Sequence, residues 1–308
     1  MKIKLSIFIF CFFYPILSWS ESYLPKAEKV VDNIYAIIGP LDQRSPENDA
    51  LNNNLGFIVT DEGVILIDSG ASYIGAERVT KAINLVTDKP IRWVINTGSQ
   101  DHRWLGNDYF AKHGAELIAM ERTIATQKEF ASQHMDRLKG FLGDRLQGTV
   151  PMPAKKALMD NEAKIELGGV ELQIRYTDAH FPGDVMIWIP GSRVVFTGDL
   201  VYVDRVFSVH PWSSVKNGQQ AYAVMESLNP IFIVPGHGAV SDLAKARKDC
   251  GNYYDFLNNT IGSAAEEMEP MDEVLKQYRS LSEFEHLEHF SDLHPVNMNR
   301  TFLEYEAF

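Results

Sequence analysis

The sequence has few cysteines and no long apolar run beyond its first residues. Of its two cysteines, Cys11 lies in the N-terminal apolar segment and Cys250 lies near a predicted helix. A chain that loses its N-terminus keeps one cysteine and can form no internal disulfide. No apolar run reaches the roughly 20 residues that a membrane-spanning helix needs. The core must therefore be held together by side-chain packing alone.

Positive charge is also scarce. The 308 residues include 29 lysines and arginines against 41 aspartates and glutamates, which gives a formal net charge of −12. This excess of negative charge argues against nucleic acid and anionic membrane surfaces as partners. The 45% of hydrophobic and 23% of charged residues are typical of a globular protein. We therefore expect a folded protein whose partner is a small-molecule substrate or ligand.

The first twenty residues differ from the rest of the chain. Lys2 and Lys4 precede an apolar run over residues 5–17, and Ser18-Trp19-Ser20 places small residues where a signal peptidase needs them. This pattern predicts a signal peptide over residues 1–20, export to the periplasm and no membrane anchor after cleavage. The remainder is expected to form one domain over residues 21–240, with residues 241–308 as its helical extension.

Strand-like and helix-like segments alternate along the chain. Apolar runs and hairpin signals predict strands at 30–38, 55–60, 63–67, 91–95, 117–120, 164–167, 170–176, 185–189, 194–197 and 231–234. Helical spacing predicts helices at 73–86 and 121–142 and through most of the last third, with helix starts near Pro270 and Pro295. Two polar stretches, 39–54 and 143–157, are predicted as surface loops. The segment Glu285–His289 lacks any zinc-helix spacing and is predicted as a solvated helix face.

Reactive side chains repeatedly follow the predicted strands. Asp68 ends one strand, and the loop after the strand 91–95 carries Gln100, Asp101, His102 and Arg103. Three further segments place His180, Asp199 and His237 in the same way. Because ligands bind beyond the carboxyl ends of strands in open α/β sheets, these imidazoles and carboxylates are expected to converge in one crevice. Such groups suit zinc, iron or manganese.

These motifs, taken together and in order, resemble the metallo-β-lactamase superfamily. The matching segments are Asp68, Asn96–Asn107, Asp178-Ala179-His180-Phe181-Pro182-Gly183-Asp184, Thr197-Gly198-Asp199 and Pro235-Gly236-His237. The resemblance implies an αββα sandwich, two mixed or antiparallel sheets between helices, with extra C-terminal helices. It also implies that His180, Asp199 and His237 are metal ligands. The tail 290–308 is similar to the secreted subgroup associated with sulfur oxidation and quinoprotein systems.

The loop 96–107 departs from the family's Asn-Thr-His-x-His-x-Asp-His pattern. Without gaps, its four ligand positions hold Gly98, Gln100, His102 and Arg103. Aligned on the Asp-His pair instead, Asp101 and His102 keep family roles, but the spacing around them changes. Both alignments lack the two histidines of the first metal site, so an ordinary two-metal centre is not expected.

Three interpretations follow from this altered loop. The first is a hydrolase with one divalent metal, zinc for preference, held by Asp101 or His102 with His180, Asp199 and His237. The second is a catalytically inactive periplasmic binding protein that keeps the crevice and holds an anion with Gln100 and Arg103. The third, metal-free acid/base catalysis by Asp101 and His102, has no activated nucleophile to support it.

Overall fold

Two β-sheets form the centre of the molecule. The computed structural model describes residues 24–307; the predicted signal peptide lies outside the described residues. Within this range the strands form one sheet of seven strands and one of five. The first sheet contains, in spatial order, β1 Ala27–Val31, β2 Ile34–Ile37, β3 Leu55–Val59, β4 Val64–Ile67, β5 Ile91–Ile95, β6 Glu116–Met120 and β7 Lys156–Leu158. Strands β1 to β4 pair antiparallel and β4 to β7 pair parallel.

The second sheet is mainly antiparallel. It runs in the order β12 Phe232–Val234, β11 Val194–Phe196, β10 Val185–Ile189, β9 Val170–Tyr176 and β8 Glu162–Leu167. Only the pairing of β11 with β12 is parallel among these described strands. The two sheets face each other.

Alternation along the strands builds the layers. In β4, Ile65 and Ile67 enter the core between the sheets, while Val64 and Leu66 pack against helices on the outer face. Side chains of β10 alternate in the same way. Its isoleucines face the first sheet, and Met186 and Trp188 face the opposite side. Both β4 and β10 are thus buried on both faces, as their continuous apolar sequences predict.

Helices cover both outer faces. On the first sheet lie α1 Tyr73–Asn84 and α3 Asn107–Lys112, while α2 Asp101–Trp104 and α4 Glu121–Leu142 pack together beside the sheet edge. The second sheet is covered by α5 Val215–Ser227 and the C-terminal helices α6 Leu243–Ala246, α7 Asn252–Phe256, α8 Ser263–Glu266, α9 Met271–Gln277 and α10 Phe290–Glu306. Two π-helical segments, Arg247–Gly251 and Leu257–Gly262, connect α6 to α8. The predicted αββα sandwich with extra C-terminal helices is confirmed.

Several predicted elements are wrong in detail. The predicted strand 30–38 is two strands, because the chain reverses at Asn33 with a φ of 65°. The predicted loop 143–157 ends in β7, a strand of three residues that is too short to give a strand signal. Helix α10 begins at Phe290, not near Pro295, which lies inside it. Residues 285–289 form turns instead of a helix face, and Leu287 is buried among them.

No helix in residues 24–307 combines the length and apolar character needed to cross a membrane.

The strand ends that carry the candidate site all lie at one edge of the sandwich, where β4, β5, β11 and β12 end. Hydrogen bonds join these ends, since Thr97 N donates to Asp68 Oδ1 (2.7 Å) and Thr197 N donates to the Val234 carbonyl (3.1 Å).

Candidate functional site

Three of the predicted ligands come together at this edge. Ligand atoms of His102, Asp199 and His237 all lie within 4.8 Å of one another, and all three residues are buried. His102 Nε2 is 3.0 Å from Asp199 Oδ2, and His237 Nε2 is 3.4 Å from Asp199 Oδ1. Two ligands about 2.0–2.1 Å from a tetrahedral zinc lie roughly 3.3 Å apart. The spacing and donor types of this triad therefore fit one divalent ion.

One side chain, Tyr202, fixes the triad from behind. The Tyr202 ring stacks on His237 with 4.6 Å between ring centroids, and the Tyr202 hydroxyl donates to Asp199 Oδ1 over 3.2 Å. Burial lowers the pKa of His237 to about 3, although Asp199 opposes this shift. The imidazole is therefore neutral at neutral pH, which is the form that binds metals.

Arg103 lies beneath the triad between two carboxylates. Its Nε and Nη2 donate to the two oxygens of Asp199 over 3.1 and 2.5 Å, and Nη1 donates to Asp68 Oδ2 over 2.9 Å. The carbonyls of Asn54 and Gly236 accept its remaining N–H groups at 3.0 and 3.4 Å. A guanidinium has five N–H donors, and here each has an acceptor in the protein. Arg103 therefore has no N–H group free to donate to the ligand that the sequence predicts it holds.

The charge on Asp199 is maintained by this pairing. Burial alone would raise the pKa of Asp199, but the Arg103 guanidinium and His102 outweigh it and hold that pKa well below its usual range. Burial likewise raises the pKa of Asp68, and Arg103 opposes that shift. Asp68 also accepts hydrogen bonds from the Thr97 backbone N–H and hydroxyl.

The first-site positions hold no ligand in the altered loop. A Cβ added to Gly98 would lie 2.4 Å from Asp184 Oδ1, so the Asp184 carboxylate takes the space beside that position. Gln100 is 4% exposed and precedes α2, where its carbonyl accepts a hydrogen bond from Arg103 N. The described residues of the triad therefore fit a divalent metal ion.

The other two predicted ligands lie outside the triad. His180 is buried, with its ring 4.9 Å from that of His210 and 5.7 Å from that of Tyr202. Burial lowers its pKa well below the usual range. Asp101 faces two arginines instead, because Arg44 Nη2 donates to Oδ1 over 2.7 Å and Arg137 Nη2 donates to Oδ2 over 2.6 Å.

Three residues that the sequence did not single out shape the site. Asn54 anchors the polar loop, since its Nδ2 donates to the carbonyls of Pro235 and Gly238 over 2.9 and 2.7 Å. Arg44 lies in the same loop and contacts His102 Nδ1. Arg137 reaches the site from α4. The length and polarity of the loop 39–54 were the available signal for Arg44, whereas Arg137 resembled any exposed helix residue.

Comparison with known proteins agrees with this architecture. The sequence profile of the Metallo-beta-lactamase superfamily matches residues 48–237. A metallo-beta-lactamase type 2 of Elizabethkingia meningoseptica is 25% identical over 223 residues, which cover 69% of this chain and 78% of that protein.

Solved structures show the same fold at low identity. The stereoselective inverting sec-alkylsulfatase Pisa1 from Pseudomonas sp. superposes with a TM-score of 0.72 at 16% identity, covering 92% of this chain. This chain spans about half the length of that sulfatase, 50%. A metallo-beta-lactamase from Pontibacter korlensis gives a TM-score of 0.57 at 16% identity, covering 72% of this chain and 95% of its own. Since the profile spans every motif from the polar loop to His237, the chain belongs to the metallo-β-lactamase superfamily.

Proposed function

We propose that this protein is a secreted, metal-dependent hydrolase with an altered site that holds one divalent ion, zinc for preference, at His102, Asp199 and His237. The observation that carries the proposal is the buried His-Asp-His triad, whose ligand atoms lie within 4.8 Å of one another. Three protein ligands with one open position are the usual arrangement of a catalytic zinc site. When bound, the ion supplies the Lewis acidity that activates water for attack on an ester, amide or similar bond.

The protein's own residues prepare this triad. His102 Nδ1 lies 3.2 Å from Asp101 Oδ1, so in the tautomer with the proton on Nδ1 that proton is donated to the carboxylate and the Nε2 lone pair faces the triad. Tyr202 orients Asp199 and His237 from the opposite side. The triad is only 2–4% exposed, which strengthens every electrostatic interaction inside it.

Arg103 limits the number of ions. A divalent ion about 4 Å from a guanidinium is repelled by roughly 8 kcal/mol at an effective dielectric of 20, and the guanidinium stays charged at all accessible pH values. Because Arg103 already neutralises Asp199, we expect at most one ion per chain, bound more weakly than in an intact two-metal site.

Metal analysis tests the proposal directly. Purified protein incubated with zinc and dialysed should retain one equivalent by elemental analysis, and His237→Ala should retain none. His113→Ala is the matched control, since His113 lies at the exposed end of α3. Two retained equivalents would overturn the single-metal assignment.

A second function is favoured by the charges around the site. Three buried aspartates, Asp68, Asp101 and Asp199, face three arginines, Arg44, Arg103 and Arg137, so the cluster is balanced without any metal. This balance supports a catalytically inactive binding protein that retains the crevice. Absence of zinc binding at any added concentration would select this function over the hydrolase.

We also propose export to the periplasm and membership of the subgroup associated with sulfur oxidation and quinoprotein systems. The N-terminal charge and apolar pattern supports export, and the sequence of α10 supports the subgroup. N-terminal sequencing of the mature protein should begin at or within a few residues of Glu21. An unprocessed cytoplasmic chain would contradict the assignment.

A further inference from the structure

Asp101 binds two arginines from separate parts of the chain. Arg44 comes from the polar loop 39–54, and Arg137 comes from the last turns of α4. Arg44 bonds to Oδ1 and Arg137 to Oδ2, so the two guanidinium groups share one carboxylate. The surplus positive charge of these three residues is balanced by the second carboxylate beside Arg103. The side chains of Arg44 and Arg137 are 15% and 37% exposed, so solvent reaches both.

Two buried nitrogen atoms beside this cluster have no hydrogen-bond partner among residues 24–307. They are Arg44 Nε, which is a donor, and His134 Nδ1, which is a donor in the tautomer that carries its proton there. His134 is 3% exposed and precedes Arg137 by three residues, which places both on one face of α4. Buried polar atoms without partners are rare in folded proteins. Their position beside two arginines that share one carboxylate points to an anion that the protein binds.

An aromatic cluster continues the same surface. Phe130, one turn before His134 on α4, lies 5.0 Å from Phe181 and 5.3 Å from Trp212 between ring centroids. The His134 ring is 5.9 Å from Phe181, so the histidine joins the aromatic cluster to the arginines. Trp212 is nonetheless 43% exposed. An exposed indole beside two packed rings offers a flat apolar surface to a ligand.

We infer that Arg44, His134 and Arg137 form an anion-binding site and that the substrate is an organic anion, a carboxylate or a sulfonate or sulfate, with a ring-sized apolar group. This inference rests on the proposed function, because His102 joins Asp101 to the triad. His102 Nδ1 is 3.2 Å from Asp101 and its Nε2 is 3.0 Å from Asp199. An anion held by Arg44 and Arg137 thus lies beside Asp101, which contacts His102 of the triad. Its apolar group lies against Phe181 and Trp212.

Calorimetric titration with benzoate and benzenesulfonate tests the site, with neutral benzamide as the uncharged counterpart. Each is measured in EDTA and again after zinc loading. At least one of the two anions should bind in EDTA and benzamide should not, and the comparison of the two identifies the preferred headgroup. Arg137→Gln and Arg44→Gln should each weaken binding by roughly tenfold or more, because each removes charge-assisted hydrogen bonds.

Arg122→Gln is the matched control. Arg122 lies on the same helix, is 50% exposed and pairs with Asp178, away from Asp101. Its loss removes the same charge and should leave anion binding unchanged. Benzamide binding as tightly as the anions, no anion binding at millimolar concentration, or equal loss in Arg122→Gln would each overturn the inference. Because the titration in EDTA needs no metal, its outcome is independent of whether the triad binds zinc.

Discussion

Two arginine clusters lie side by side in this site and differ in how completely their donors are used. Arg103 is 2% exposed, and each of its five N–H groups has an acceptor, either on Asp68 or Asp199 or on one of two backbone carbonyls. Arg44 and Arg137 share one aspartate and leave a buried donor without a partner. The first cluster is closed and structural, and the second is open toward solvent. The same type of side chain therefore stabilises the fold at Arg103 and is available to a ligand at Arg44 and Arg137.

Removing the closed arginine should have the largest effect. Arg103→Met leaves the buried carboxylates of Asp68 and Asp199 without their cation, which costs about 3–5 kcal/mol of unfolding free energy. Urea denaturation at pH 7 measures this loss. A change below about 1 kcal/mol would show that the cluster is not closed as described.

A lysine at the same position separates charge from geometry. Arg103→Lys keeps the positive charge but replaces five fixed donors with three, so the carbonyls of Asn54 and Gly236 each lose one of their donors. Because each carbonyl keeps a second donor, we expect a loss of about 1–2 kcal/mol, between the wild type and Arg103→Met. A lysine variant as unstable as the methionine variant would mean that the fork, not the charge, holds the cluster.

His134, beside the open cluster of Arg44 and Arg137, should make the unfolding free energy depend on pH. Burial lowers the pKa of His134 to about 4, with Asp101 opposing this shift and Arg137 adding to it. The unfolded state therefore binds one more proton than the folded state between about pH 4 and 6.5, and stability falls as the pH falls through this window. Between pH 7.5 and 5, His134→Gln should lose roughly 1–2 kcal/mol less unfolding free energy than the wild type. Equal losses in the two proteins would contradict the buried, neutral histidine.

The smallest effect is expected at the rim of the open cluster. Arg137 is 37% exposed, so Arg137→Gln should change the unfolding free energy by less than about 1 kcal/mol. The comparison with Arg103→Met is made in the same urea series. A loss as large as that of Arg103→Met would place Arg137 among the structural arginines and remove the distinction between the clusters.

The periodicity of the sequence predicted most of the fold. Strand β5 Ile91–Ile95, helix α4 Glu121–Leu142 and strand β10 Val185–Ile189 begin and end where the apolar patterns place them. Strand β7 and the turn at Asn33 were missed, because pairing with a neighbouring strand and a left-handed backbone leave little trace in local composition. Pro295 predicts a helix start, whereas α10 already begins at Phe290.

The site was predicted only in part, for a reason that concerns contacts between distant segments. Placing His102, Asp199 and His237 in one crevice required only that strand ends meet at one edge. Which carboxylates Arg103 binds depends on tertiary packing, which the local sequence does not show. Arg44 and Arg137 are 57 and 36 residues from Asp101 along the chain. No local pattern connects charges over such separations.

The contact between Gly98 and Asp184 also bears on how this site can change over generations. Restoring a histidine at position 98 places new atoms against Asp184 Oδ1, 2.4 Å from the Cβ position, and overpacking of this kind typically costs 1–3 kcal/mol. A lineage that replaced Gly98 alone would therefore first pass through a less stable protein. Since proteins lie only slightly above the stability they need, we expect the altered loop to persist once Asp184 occupies that space, whatever chemistry selection later favours.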